Sequence, residues 1–144
     1  ISAGLVLDTS GSMGGKIQKS KDAALQFFKT ANPQDEFLFI SFSDRAKLIS
    51  GFTSKYEQIQ DRLLFVKGGG RTALLDAIYL GLHEMKKATT NRKALLVISD
   101  GGDNYSRYTE RDIRQAVKES AVQIYAVGIF ENFPNWKNLL LNFG

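Results

Sequence analysis

The sequence predicts an α/β fold: a doubly wound, Rossmann-like, three-layer α/β/α domain with a mostly parallel central sheet and one antiparallel edge strand. Three observations carry that prediction. Four short runs rich in Val, Ile, Leu and Phe, at 3–7, 37–42, 94–98 and 122–129, lack the alternation of a strand with one wet face. Runs of this length suit strands covered on both sides, as parallel sheets require. Helical patterns lie between them, and one short polar turn, Ser43-Asp44-Arg45, breaks the alternation of strand and helix.

Run 3–7 is the first expected strand. Ile17, Ala24, Leu25 and Phe28 then fall on one face of a first helix. Run 37–42 is the second strand, and the polar turn leads into 46–52, a weaker strand that so short a connection forces to be antiparallel. A helix is expected at 56–64. Leu74, Ala77, Ile78, Gly81, Leu82 and Met85 form the strongest 3.6-residue stripe. After run 94–98, Ile113, Ala116 and Val117 mark another helix, with Thr109 as its N-cap ahead of Glu110 and Asp112. Run 122–129 is the last strand. The order is β, α, β, β, α, α, β, α, β, a single domain over 1–144 without internal repeat or linker. Pro134, Trp136 and Leu139-Leu140-Leu141 point to the start of a last helix, so the domain is expected to be truncated at a C-terminal helix and strand.

Composition agrees with one folded domain. The 144 residues are 43% hydrophobic and 24% charged, and folding at this length buries roughly two-thirds of the chain's surface. There is no cysteine and one histidine, His83, so disulfides, thiolate metal sites and multi-histidine zinc sites are excluded. No apolar run reaches the ~20 residues that span a bilayer. The net charge of +4 comes from dispersed basic residues. Their densest cluster, Lys86, Lys87, Arg92 and Lys93, falls at an expected helix end and loop, where cations complement the helix dipole. It reads as a solvated face, not a nucleic-acid surface.

In open α/β sheets, ligands sit at the carboxyl ends of the strands. Asp8-Thr9-Ser10-Gly11-Ser12 follows the first strand there. Thr72 follows the loop Gly68-Gly69-Gly70-Arg71, and Ser99 and Asp100 follow run 94–98. Two carboxylates and several hydroxyls thus meet at one sheet edge with no nitrogen or sulfur donor. Oxygen-only donors select hard cations such as Mg2+. Asp8, Ser10 and Ser12 alternate, so one tight loop can direct all three to a single ion, and Thr72 and Asp100 can approach directly or through water.

The string Asp8-Thr9-Ser10-Gly11-Ser12-Met13 resembles the D-x-S-x-S signature of von Willebrand factor type A domains, shared with integrin I domains. Gly69-Gly70-Arg71-Thr72-Ala73-Leu74 is similar to that family's second metal loop, and Ser99-Asp100-Gly101 to its third. The resemblance runs from Ile1 to about Phe130, and 99–109 looks most like a bacterial branch often found in exported proteins. It implies a metal-ion-dependent adhesion site for Mg2+ or Mn2+, with Ca2+ less suited. Asp8, Ser10, Ser12, Thr72 and Asp100 would be its ligands or water-mediated supports. A partner protein's Asp or Glu would complete the coordination, and specificity would lie in the loops after Gly14, Lys67 and Gly102.

Other readings are weaker. Asp44, Asp103 and Asn104 read as turn residues, Asp76 as complement to a helix dipole, and Arg71 as a solvated loop residue, with contact to an acidic partner as its alternative. A phosphate-binding loop ending at Gly15-Lys16 fails at Ser10 and Ile17. Gly68-x-Gly70-x-x-Ala73 matches a loose dinucleotide fingerprint, but the acid expected about twenty residues on is absent. The class-level alternative is a metal-assisted hydrolase or phosphotransferase using Asp8 and Asp100, for which no nucleophile–base pair is evident.

Overall fold

A computed structural model describes residues 1–100 and 105–128, apart from the side chain of Ser12. The strands are β1 (Ser2–Asp8), β2 (Glu36–Phe42), β3 (Ala46–Thr53), β4 (Lys93–Ser99) and β5 (Gln123–Gly128). The helices are α1 (Ile17–Phe28), α2 (Tyr56–Leu64), α3 (Leu74–Glu84) and α4 (Glu110–Ser120). They follow one another in the expected order. The strands form one sheet ordered β3-β2-β1-β4-β5. β1 runs parallel to β2 and β4, β4 parallel to β5, and β3 antiparallel to β2 at one edge.

Successive side chains of a strand point to opposite faces, and each face here has its own core. Val6, Leu38, Ile40, Phe42 and Val97 pack against Leu74, Ile78 and Leu82 of α3 and Ile113 of α4. Leu5, Leu7, Phe37, Phe39 and Ile98 pack against Ala24 and Phe28 of α1 and Ile59 and Leu63 of α2. Double coverage explains why all seven β1 residues are buried and why no polar alternation marks the strand. Helix α3 rides close to the sheet over Leu95. A Cβ on Gly81 would stand 2.9 Å from Leu95 Cδ1, and one on Gly4 2.6 Å from its Cδ2.

The outer strand on the far side departs from expectation. Gln123 and Tyr125 of β5 are exposed, Tyr125 at 54%. Among the described residues β5 pairs only with β4, so it lacks the coverage of a central strand, although its apolar content reads alike. Two 3-10 turns also escape the periodicity, Gly11–Lys16 ahead of α1 and Met85–Lys87 after α3. Thr109 caps α4 as expected: its hydroxyl accepts the Asp112 N–H while the Asp112 carboxylate accepts the Thr109 N–H. The tail 132–144, with its expected helix, lies outside the described residues, as do Asp103 and Asn104. No helix among the described residues is long and apolar enough to cross a membrane.

Candidate functional site

The strand order decides where polar loops can meet. From β1 the chain builds β2 and β3 on one side, then crosses to β4 and β5 on the other. The carboxyl ends of β1 and β4 therefore lie side by side at the point where the strand order reverses, the place that open α/β sheets use for ligands. Asp8 ends β1 and Ser99 ends β4, one step beyond the paired residues Leu7 and Ile98.

Asp8 is fully buried. Its Oδ1 accepts the Ser10 N–H at 2.8 Å, and its Oδ2 accepts the Ser99 hydroxyl at 2.6 Å. Among the described residues no cationic side chain lies within ion-pair distance of it. Burial pushes its carboxyl above the usual carboxylate range. Hydrogen bonds from Ser10 and Ser99 oppose that rise, and the neighbouring charge of Asp100 adds to it. Asp100 itself is 3.9 Å from the Lys16 ammonium.

Backbone ties join the second loop to the first. The Gly11 N–H donates to the Gly70 carbonyl and the Gly69 N–H to the Thr9 carbonyl, both at 2.8 Å. The Ala73 N–H donates to the Ser43 carbonyl at 2.8 Å, and the Asp44 carboxylate accepts the Arg71 N–H at 2.5 Å. Thr72, buried at the start of α3, is thus held from both sides of the chain. Gly70 makes this path possible. Its φ of +90° lies in the left-handed region, and an added Cβ would meet Asp44 Oδ1 at 2.9 Å. Thr9 anchors the whole arrangement to β2, since both its N–H and its hydroxyl donate to the Phe42 carbonyl.

Of the five residues singled out in the sequence, Asp8, Ser10, Thr72 and Asp100 therefore stand on loops tied together at one sheet edge. Ser12 lies in the 3-10 turn after Ser10, its side chain outside the description. Among the described residues no three His, Asp or Glu side chains gather; the charged donors are the two carboxylates, supplemented by hydroxyls. Three contributors were not recognised in the sequence, and a fourth, Ser99, was noted there only for its place beside Asp100. Ser99 orients Asp8, Lys16 faces Asp100, and Asp44 backs the Gly70 turn. Asp76 does more than face a helix dipole, because its carboxylate accepts the N–H groups of Arg107 and Tyr108. Position offered a signal for Ser99, which immediately precedes Asp100. The other three depend on partners distant in sequence.

A three-layer α/β/α domain with a D-x-S-x-S loop leaving its first strand is the architecture of a von Willebrand factor type A domain. The profile of that family matches residues 4–102, and the chain belongs to it. Inter alpha-trypsin inhibitor heavy chain 4 of Mus musculus is 22% identical over 157 aligned residues, covering 96% of this chain and 17% of that protein. The chain thus spans less than a fifth of that relative's length. Among solved structures, the von Willebrand factor type A protein from Catenulispora acidiphila superposes with a TM-score of 0.81 at 17% identity, covering 99% of this chain and 35% of that one. The conserved hypothetical protein BatB from Bacteroides thetaiotaomicron gives a TM-score of 0.76 at 20% identity over 89% of this chain and 66% of that one. At these identities the structural likenesses speak for the fold alone. Domains of the family typically serve protein interaction and adhesion.

Proposed function

We propose that this domain binds proteins through a hard divalent cation, Mg2+ or Mn2+ in preference to Ca2+, at the carboxyl edge of the sheet. Asp8, Ser10, Ser12, Thr72 and Asp100 would hold the ion, directly or through water. The observation that carries this reading is Asp8: a fully buried carboxylate that receives only neutral donors and feels a second carboxylate beside it. A buried charge left without a counter-charge is costly, and a dication is the chemical complement of two neighbouring carboxylates and several hydroxyls. When bound, the ion supplies a Lewis-acidic point of attachment for an Asp or Glu of a partner protein.

The chain's own residues set the terms of that attachment. Asp8 and Asp100 balance the ion's two charges, so the neutral hydroxyls of Ser10, Ser12 and Thr72 add no further negative charge against an incoming carboxylate. Ser99 fixes the Asp8 carboxylate, and the ties between Thr9, Gly11, Gly69 and Gly70 hold the loops before any partner arrives. Such preorganisation lowers the ordering cost of binding. The role is binding without turnover. Phosphoester hydrolysis that requires Mg2+ and disappears in Asp8→Ala would overturn that part of the reading.

The direct test is a thermal melt with Mg2+ or Mn2+ against a chelator, for the parent and for Asp8→Ala. An ion at about 100 times its Kd stabilises the native state by ~2.7 kcal/mol, which for a domain of this size raises Tm by roughly 5–10 °C. The variant is expected to show no shift. A parent indifferent to both ions would refute the metal site.

A further inference from the structure

Gly15-Lys16 fails as the end of a phosphate-binding loop, and the structure gives the lysine another task. Lys16 closes the 3-10 turn Gly11–Lys16, which carries the first polar loop into α1. Its place is fixed on two sides. The Lys16 carbonyl accepts the hydroxyl of Ser20, a residue that is fully buried. The next side chain, Ile17, lies so near the glycine loop that a Cβ added to Gly68 would stand 2.8 Å from its Cδ1. From this seat the Lys16 ammonium reaches the end of β4, 3.9 Å from Asp100 Oδ2. Among the described residues it is the one ion pair that either Asp8 or Asp100 makes. The Asp100 side chain is 12% exposed and the Lys16 side chain 37%, so the carboxylate is enclosed while the ammonium keeps a way to water.

The charges at this edge cannot all be satisfied at once. Asp8 feels the like charge of Asp100, and the Lys16 ammonium offers that pair of carboxylates one positive charge. A dication held by Asp100 offers two, and it then repels the ammonium at short range. One of the two cations has to give way. Lysine suits that part, because its head is a compact, strongly hydrated charge on a flexible four-carbon stem. Its backbone can stay seated on Ser20 while the head turns out to solvent.

We propose that Lys16 is an exchangeable counter-ion of the site: it pairs with Asp100 until Mg2+ or Mn2+ binds, then gives way, and so sets the ion concentration at which the edge can receive a partner's carboxylate. The inference rests on the metal reading above and supplies its regulation. It also fixes a sign. A residue that merely braced the loop would weaken ion binding when replaced, whereas removing a competing cation strengthens it.

The test is calorimetric titration with Mg2+ and with Mn2+ of the parent, Lys16→Met and Lys16→Arg, in low and high KCl. Lys16→Met is expected to bind either ion about three- to tenfold more tightly than the parent. Lys16→Arg keeps the charge and should bind no more tightly than the parent. The gain of Lys16→Met should shrink from 0.1 M to 1 M KCl, where the screening length falls from ~10 Å to ~3 Å. Lys16→Gln repeats the reading should Lys16→Met fail to fold. Melts in chelator read the pair without any ion: Lys16→Met should lower Tm by about 1–3 °C in the parent and leave Asp100→Asn unchanged. The proposal is overturned by an uncharged variant that binds no more tightly than the parent, by a gain that Lys16→Arg shares or that high salt leaves intact, or by equal effects on Tm in both backgrounds. A parent that binds neither ion brings down the metal reading and this one together. A parent that binds, with a Lys16→Met that gains nothing, brings down this one alone.

Discussion

Asp8 carries the sharpest conflict between folding and function. In the absence of a cation its burial favours the protonated form, so its carboxyl ionises above the usual range. The folded state then holds a proton that the unfolded state has released, and stability is lost as pH rises through the raised value. Asp8→Asn removes that charge while keeping an acceptor for the Ser10 N–H. In chelator at neutral pH it is expected to melt above the parent, and it should show no response to Mg2+. By the same linkage, the Mg2+-induced rise in Tm should shrink as pH falls through the Asp8 titration, because the proton competes with the ion. Melts recorded across pH with and without Mg2+ check both. Gly70→Ala tests the neighbouring loop. A side chain at φ +90° and against Asp44 is expected to cost on the order of 1–3 kcal/mol and to weaken Mg2+ binding by displacing Thr72; denaturant melts and calorimetric titration measure the two effects. Asp8, Thr72 and Asp100 are legible in the sequence because each follows a strand or a glycine loop directly. The roles of Ser99 and Asp44 are not, because they depend on residues 91 and 27 positions away.

The elements follow from local physics wherever a local signal exists. Thr109 and Asp112 spell a capping box three residues apart, and the structure contains it. Thr109→Ala is expected to cost ~1 kcal/mol, read as a drop of a few degrees in Tm. At the opposite end of the sheet from the site, Glu36 joins three segments. Its carboxylate accepts the Ser2 hydroxyl and the Thr89 N–H, each at 2.7 Å. Burial alone would raise its carboxyl, but these donors outweigh burial and hold it below the usual range. The stabilisation is therefore present above the unfolded-state pKa and is lost as pH falls through the lower folded value. Glu36→Gln should flatten the acid limb of the stability profile, seen in urea melts between neutral and acidic pH. By contrast, β5 shows the limit of reading elements one at a time. Its apolar residues resemble those of a central strand, and only its place beside β4 alone, among the described residues, exposes Gln123 and Tyr125.

At the scale of the whole molecule, two cores share one sheet, and Leu95 sits where α3 presses closest upon it. Leu95→Ala would open a space lined by rigid backbone at Gly4 and Gly81, and is expected to cost about 2–5 kcal/mol in denaturant unfolding. If α3 settles into the space instead, the loss will be small and the Thr72 loop at its head will shift, which Mg2+ titration of the same variant would register.

Hydrophobic periodicity and turn chemistry act over a few residues, and so the residue order by itself determined the element types, their succession, the antiparallel turn and the three polar loops with their carboxylates and hydroxyls. Strand order, the exposed far edge, the orientation of Asp8 by Ser99, and the stitching of the glycine loop to Thr9 and Gly11 were decided only in three dimensions. Each of those depends on contacts between segments far apart in the chain, which form only when both faces of the sheet are buried at once.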